Sequence, residues 1–277
     1  MEESVRLSDD DRLRQVVLVG MEIVGAAGGG GVGLIGGPAG AIGGAAAGVA
    51  MTRVLHRIGL EVYDRLLVHR QQARVGAALV YAAKDAGELS AAGAAIRNDG
   101  FFDEDVEKRS DAEELMEGVL LHAADAYQEL KLRHLAAIVP ALAARPDVPA
   151  ADGHWITDLA GRLTWRQLIV LAIFRDPPEQ VLMHRDIDQD VQGRQPLPGV
   201  LADEVEELAT LGLIGTTSSD GETVRVDRTM GGLEGGVWQT GMATWRLTVV
   251  GQLLADLTRL DDVPKAQRER VLDDLLS

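Results

Sequence analysis

The sequence predicts a mainly α protein with a glycine-zipper helical hairpin, a helical domain and a C-terminal winged-helix-like α+β unit. We expect these parts at residues 1–52, 53–150 and 151–277. Three patterns predict them: glycines spaced by four in an apolar segment, apolar residues at helical spacing in the middle, and a helix, helix, hairpin, helix order near the C-terminus.

Composition restricts the chemistry. The formal net charge is −16, so nucleic acid and anionic lipid repel the chain at long range unless a local patch reverses the sign. Cysteine is absent, which excludes disulfides, thiolate catalysis and cysteine-based zinc or iron–sulfur sites. The first 15 residues are polar and acidic, unlike the basic start of a secretory signal, so we expect a cytoplasmic protein.

The segment from Val16 to Thr52 contains one ionisable side chain, Glu22. Its glycines fall into two registers with a spacing of four residues, which places each set on one helix face. The first set is Gly25, Gly29, Gly33 and Gly37, and the second is Gly36, Gly40, Gly44 and Gly48. We interpret these eight glycines as an interface for helix packing, for an oligomer or for a membrane, because small residues let backbones approach closely.

Glycine lowers the stability of a helix, and the size of this loss indicates what must surround the glycine-rich segment. Each glycine loses about 1 kcal/mol relative to alanine, so eight lose on the order of 8 kcal/mol, comparable with the stability of a whole domain. A bilayer can offset this cost, and so can a tightly packed oligomer or an intramolecular groove. The stretch Val32–Met51 is long enough to span a membrane. Membrane insertion, a buried packing element and a flexible linker therefore stay open.

The middle part is predicted to be helical. Residues 53–98 form an amphipathic pattern with Leu55, Ile58, Val62 and Leu66 on one stripe. A second helix is predicted over 111–144, starting at a Ser110/Glu113 capping box and brought to an end by Pro140 and Pro146. Its apolar face is predicted to contain Leu115, Val119, Leu120, Ala123, Ala124, Tyr127, Leu130, His134 and Leu135.

The C-terminal part follows the order of a winged helix. Thr164 is predicted to cap a helix over Trp165–Phe174, and a loop over 175–198 precedes a helix over Leu201–Leu211 that ends at Gly212. A hairpin with its turn at 218–221 and a strand at Trp245–Leu247 follow, and Thr248 caps a last helix through Leu260.

DNA binding by this unit is disfavoured. The helix that would enter the groove has no lysine or arginine but carries Asp203, Glu204, Glu206 and Glu207. We therefore expect a module that binds a protein partner or another copy of the chain.

No pattern predicts a catalytic residue, a metal site or a cofactor, so we expect a protein that is not an enzyme. The six histidines lack H-E-x-x-H spacing, and a nucleotide-binding P-loop is absent. Asp186, Asp188 and Asp190 alternate as metal ligands can, but they lack the turn glycine and terminal glutamate of an EF-hand. An enzyme with a site in the 175–198 loop stays open as a third possibility.

Four stretches resemble the Abi-alpha (abortive infection alpha) type of bacterial protein. They are Glu113–Val139, then TWRQLIVLAIF, VEELATLGLIG and LTVVGQLLADL, so the resemblance covers the chain from Glu113 onwards. The resemblance implies a role in phage defence and brings no catalytic residues. The glycine-zipper segment is an addition to the family pattern.

The leading hypothesis is a non-enzymatic, membrane-associated effector of anti-phage defence. Its glycine-rich helices pack between copies and insert in or perturb the membrane. The expected partners are further copies, membrane lipid, and a protein at the winged-helix-like domain. The alternative is a soluble homo-oligomeric structural or assembly protein that uses the glycine helices as its subunit interface.

Overall fold

The computed structural model describes residues 9–27, 46–103, 108–176, 199–217, 223–224 and 244–276. The protein is mainly helical, which confirms the predicted fold class at that level. The chain divides into two compact units, with the boundary after Arg162.

Six α-helices form the described part of the first unit. They are α1 (Asp9–Ala27), α2 (Ala46–Arg65), α3 (His69–Ala91), α4 (Asp111–Asp125), α5 (Leu132–Ala143) and α6 (Ala150–Arg162). A 3-10 turn, Glu129–Lys131, precedes α5. Helix α3 is central because it contacts α1, α2, α4 and α5, while α6 packs on α4 and α5.

The start of α4 is tied to α2 through a buried carboxylate. Ser110 Oγ accepts from the Glu113 amide at 3.3 Å, and Glu113 Oε2 accepts from the Ser110 amide at 3.2 Å, which confirms the predicted capping box. The other oxygen of Glu113 lies 2.9 Å from Arg57 Nη1 on α2. The charge of this buried side chain is therefore both paired and hydrogen bonded.

In the second unit, α7 (Trp165–Arg175) and α8 (Gly199–Thr210) precede three strands, β1 (Ile214–Thr217), β2 (Thr223–Val224) and β3 (Thr244–Leu247). Helix α9 (Val249–Leu257), a 3-10 turn at Leu260–Asp262 and α10 (Lys265–Leu276) follow. The sheet order is β2-β1-β3 with antiparallel pairs, and Thr216 faces both Val224 and Trp245.

Thr248 and Gly251 join α9 to the start of β1. The Thr248 hydroxyl accepts from the Gly251 amide at 3.1 Å, as its predicted role as a cap requires, and the Thr248 amide donates to the Leu213 carbonyl at 3.0 Å. A Cβ on Gly251 would lie 1.9 Å from that carbonyl oxygen. The threonine and glycine of the stretch LTVVGQLLADL thus have structural roles in this junction.

Two predicted helices are interrupted. The pattern over 53–98 predicts one helix, but the chain reverses direction at Leu66–Val68. The two helices on either side of this turn, α2 and α3, pack on each other. The helix predicted over 111–144 breaks between α4 and α5, which are joined through the 3-10 turn Glu129–Lys131 and pack on each other and on α3. Tyr127 and Leu130, which were predicted to be core residues, are exposed at this break.

Pro140 does not end its helix, because it lies inside the buried helix α5, which continues to Ala143, one residue before the predicted end at 144. Helices α6 and α10 were not predicted. The sequence also placed domain boundaries after residues 52 and 150. In the structure α2 runs across the first of these positions, and α6 belongs to the first unit through its contacts with α4 and α5.

Candidate functional site: a glycine contact between two helices

Helices α1 and α3 approach each other closely at two glycines. A Cβ on Gly20 would lie 2.1 Å from the carbonyl carbon of Gly76 and 2.4 Å from the amide nitrogen of Ala77. A Cβ on Gly76 would lie 2.3 Å from the carbonyl oxygen of Val16. The two backbones are therefore in direct contact, with no space for a side chain at either position.

The composition of α3 makes this approach possible. Most of its buried residues are small: Ala73, Gly76, Ala77, Ala78, Ala82 and Ala86. Val16, one turn before Gly20, is almost fully buried. Close contact over many atoms compensates through dispersion and apolar burial for the large side chains that this face lacks.

Helices α1 and α3 run in the same direction. Arg12 on α1 forms an ion pair with Asp64 at the end of α2, next to the turn that leads into α3. Gly20 and Gly76 each lie about two helical turns beyond that end of the unit. The chain between α1 and α2 therefore starts and finishes at the opposite end of the first unit.

Two of the eight predicted glycines lie in described helices. Gly25 is in α1, seven residues after Leu18, so the helical repeat places it on the face of Leu18, which is 64% exposed. Gly48 is in α2, on the face that continues with the buried residues Met51 and Leu55. The other six, Gly29, Gly33, Gly36, Gly37, Gly40 and Gly44, lie outside the described residues.

Sequence reasoning missed the pair that makes the observed contact. Gly20 is not among the eight glycines of the two predicted sets, and Gly76 lies beyond the glycine-rich segment. The available signal was the alanine-rich composition of α3 around Gly76, which has small residues where a packed helix usually has large ones. That signal marks a close approach but does not identify the partner helix.

Charged side chains link α2 to α4 beside this contact. Arg65 and Arg109 each pair with both Glu61 and Glu117, so two positive and two negative groups alternate in one cluster. These side chains are partly exposed, where single ion pairs add little stability but a closed network orients its members. The cluster therefore helps to join α2 to α4.

Two of the described histidines, His122 and His134, pack against other side chains or backbone of the first unit. His134 is buried, as its position on the predicted apolar stripe requires. His122 Nε2 lies 3.2 Å from Asp158 Oδ1, and its ring covers Gly161 so closely that a Cβ there would lie 2.3 Å from Nδ1. Within the described residues no group of three His, Asp or Glu side chains is arranged to hold a metal ion.

Lys131 is the one strongly perturbed base of the described part of the chain. Its Nζ donates to the Gly161 carbonyl at 2.9 Å, at the last turn of α6. Burial disfavours the ammonium and lowers the pKa of Lys131 from 10.5 to about 8. The geometry is that of a lysine that caps a helix C-terminus.

No described helix combines the length and the apolar character needed to cross a membrane. The stretch Val32–Met51, which was predicted to be long enough, lies largely outside the described residues, as do Asp186, Asp188 and Asp190.

Comparison with family models, with curated proteins and with solved structures gives no match. Inferences about function therefore depend on the residues and contacts described above.

The glycine contact predicts opposite effects for one substitution at two helix positions. Gly20→Ala should lower the free energy of unfolding by about 1–3 kcal/mol, because the methyl group forces the backbones apart. Gly118→Ala, on α4, should raise it by up to about 1 kcal/mol, since its methyl group would lie 3.9 Å from Thr157 Cγ2 and helix propensity improves. Urea unfolding measures both, and a stabilising Gly20→Ala would exclude the contact.

The lowered pKa of Lys131 predicts that the free energy of unfolding rises with pH. The folded state releases the proton near pH 8 and the unfolded state near pH 10.5, so between these values the unfolded state binds more protons and stability increases. The free energy of unfolding of the wild type relative to Lys131→Met should increase by about 1–2 kcal/mol between about pH 7.5 and pH 9.5. Lys265→Met, at an exposed lysine, controls for the loss of one charge; a flat difference for Lys131→Met would contradict the prediction.

Proposed function

We propose that the protein is a non-enzymatic, membrane-associated effector of anti-phage defence, of the abortive-infection type. Its glycine-rich helices pack between copies of the chain and insert in or perturb the membrane. The observation that carries the proposal is the Gly20–Gly76 contact, because it is the packing mode that the glycine registers of the same segment would use.

The exposed face of α1 supports packing between copies. Gly20 faces α3, whereas Gly25 shares a face with the exposed Leu18. A helix of a second copy can contact that face at Gly25, where no side chain separates the two backbones. The first glycine register, which starts at Gly25, would then extend an intermolecular contact.

The second unit supports a role in protein interaction. Its order of two helices, a three-stranded antiparallel sheet and a further helix fits a winged-helix-like module. On α8, Glu204 pairs with Arg166 at 2.6 Å and Glu207 accepts from Gln167 Nε2 at 2.7 Å, so both carboxylates help to dock α8 on α7. Asp203 and Glu206 stay exposed and would repel phosphates, which favours a protein partner over nucleic acid.

The defence role rests on the resemblance of the chain from Glu113 onwards to Abi-alpha proteins. The location that corresponds to this proposal is the cytoplasm, with the protein associated with the membrane.

The alternative is a soluble homo-oligomeric structural or assembly protein. It is favoured by one observation: α1 and α2, which flank the glycine-rich connection, both belong to a folded bundle with a buried core that includes Val16, Met51 and Ile58. In this case the connection forms a subunit interface without lipid. Both proposals need close packing at the glycines, and they differ in the surroundings of the segment.

The two proposals share a prediction at Gly40 and Gly44. Gly40→Leu and Gly44→Leu should abolish assembly of the full-length chain, because leucine adds bulk that a backbone contact cannot accept, at a cost of about 1–3 kcal/mol per site. Gly40→Ala and Gly44→Ala are the matched controls, which add helix propensity with the least bulk. Light scattering measures assembly without lipid, and membrane fractionation with a growth assay measures association and toxicity.

The outcomes of this experiment distinguish the two proposals. Loss of membrane association and toxicity in the leucine variants alone supports the effector, whereas loss of a discrete lipid-free oligomer without any membrane fraction supports the assembly protein. Leucine variants that assemble, fractionate and act like the wild type would exclude both.

A further inference from the structure

Helix α1 has an outer side that the contact with α3 does not use. Val16 and Gly20 lie against α3, whereas Leu18, on the opposite side of α1, is 64% exposed. The helical repeat places five positions within an arc of about 80° on this outer side: Asp11, Arg14, Leu18, Glu22 and Gly25. We call these five positions the α1 outer stripe.

The stripe has opposite charges on either side of its exposed leucine. Arg14 lies one helical turn before Leu18, and Glu22 lies one turn after it. The Arg14 side chain is 66% exposed, and its ion pair with Asp11 is 3.6 Å long. Exposed pairs of this kind add little stability, so Arg14 can exchange Asp11 for another carboxylate at small cost.

Glu22 is a charge that packing at the glycines does not explain. It is the one ionisable side chain between Val16 and Thr52. A carboxylate in an apolar segment is unfavourable in contact with lipid or with an apolar partner unless a cation pairs with it. Side chains of one helix pair over three or four residues, so Arg14 and Glu22, eight positions apart, are suited to pairing between two helices.

The stripe is complementary to itself when a second copy of α1 runs in the opposite direction. Arg14 and Glu22 are each four residues from Leu18, so a two-fold axis at Leu18 places Arg14 opposite the partner's Glu22. Symmetry repeats this contact, so the pair of helices has two ion pairs. A parallel pair would place like charges opposite each other at both positions, which costs free energy. The charge order therefore favours the antiparallel arrangement.

We propose that α1 of a second copy occupies this stripe in the resting protein, antiparallel to the first α1 and related to it by a two-fold axis at Leu18. The two leucines then meet at the axis, where burial removes their apolar surface from water. Gly25 lies opposite Asp11 of the partner subunit, because both are seven residues from the axis. Each copy thus completes the site of the other, with Glu22 paired and Gly25 covered.

This inference rests on the proposed packing at the glycines and adds its regulation. Because the first glycine register starts at Gly25, the resting pair and the glycine packing between copies compete for the same face of α1. The antiparallel pair also directs the two glycine-rich connections away from each other, since each connection follows the C-terminal end of its own α1. A contact of one helix pair is small, so we expect a weak dimer that separates before the glycines assemble.

The test measures dimerisation of the full-length protein by sedimentation velocity without lipid, in a Gly40→Leu/Gly44→Leu background. This background removes the larger assembly through the glycines and leaves the α1 outer stripe unchanged. The protein should form a concentration-dependent dimer, and added salt should weaken the dimer because exposed ion pairs are screened.

Exchange of the two charges identifies the contact. Arg14→Glu and Glu22→Arg should each weaken the dimer about tenfold or more, because both attractive pairs become repulsive. An equimolar mixture of these two variants should form heterodimers of the original affinity, and so should the double variant with itself, since opposite charges then face each other again. Lys265→Glu, with the same change of charge at a side chain that is 81% exposed in the second unit, is the matched control.

Release of the pair should promote the glycine-mediated step. In the chain with intact glycines, Arg14→Glu should raise the membrane-bound fraction, or the larger lipid-free oligomer of the alternative function, whereas Lys265→Glu should not. An unchanged fraction would overturn the regulatory role of the pair.

Two further results would overturn the proposal. The first is a protein that stays monomeric in the leucine background. The second is dimerisation that Arg14→Glu and Glu22→Arg leave intact, or that their mixture fails to restore; circular dichroism establishes that the variants are folded. If the charge variants behave as expected but Gly40→Leu/Gly44→Leu leaves assembly, membrane association and toxicity unchanged, the α1 pair stands and the glycine-mediated function is removed.

Discussion

The backbone contact of Gly20 with Gly76 is the constraint on which the first unit depends. Because a Cβ at either glycine would overlap the other helix, α1 can lie on α3 only with both positions empty. That contact and the ion pair of Arg12 with Asp64 together place α1 parallel to α3, so both ends of the glycine-rich connection lie at one end of the bundle. The ion pair of Arg12 with Asp64 secures the opposite end. Central α3, with its small buried residues, provides the surface that makes this arrangement possible.

Local signals predicted local structure well. The caps at Ser110, Thr164 and Thr248 were predicted because capping depends on residues within one turn of each other. The interruptions of two helices were not predicted, because apolar residues continue at helical spacing through Tyr127 and Leu130 although the chain turns there. The pairing of Gly20 with Gly76 was also missed, because the four-residue rule describes one helix face and says nothing about a partner helix 56 positions away. Long-range packing decided both cases.

The glycines of the segment differ in the helix faces that they occupy. Gly20 contacts Gly76 within the unit, whereas the helical repeat places Gly25 in line with the exposed Leu18 and Gly48 in line with the buried Met51. An intramolecular contact offsets part of the helix-propensity cost of glycine without any lipid. The remaining helix-propensity cost, which no intramolecular contact offsets, is the physical reason to propose packing between copies of the chain.

The most direct measurement of the central claim is the proton–proton distance across the helix contact. In full-length protein with labelled glycine, nuclear Overhauser spectra should contain a cross-peak between the α-protons of Gly20 and Gly76, because the two backbones touch. The same spectra should contain none between Gly118 and Gly76, since Gly118 has no close backbone neighbour. A missing Gly20–Gly76 cross-peak, with both resonances assigned and helical, would contradict the backbone contact and the arrangement of α1, α2 and α3 that follows from it.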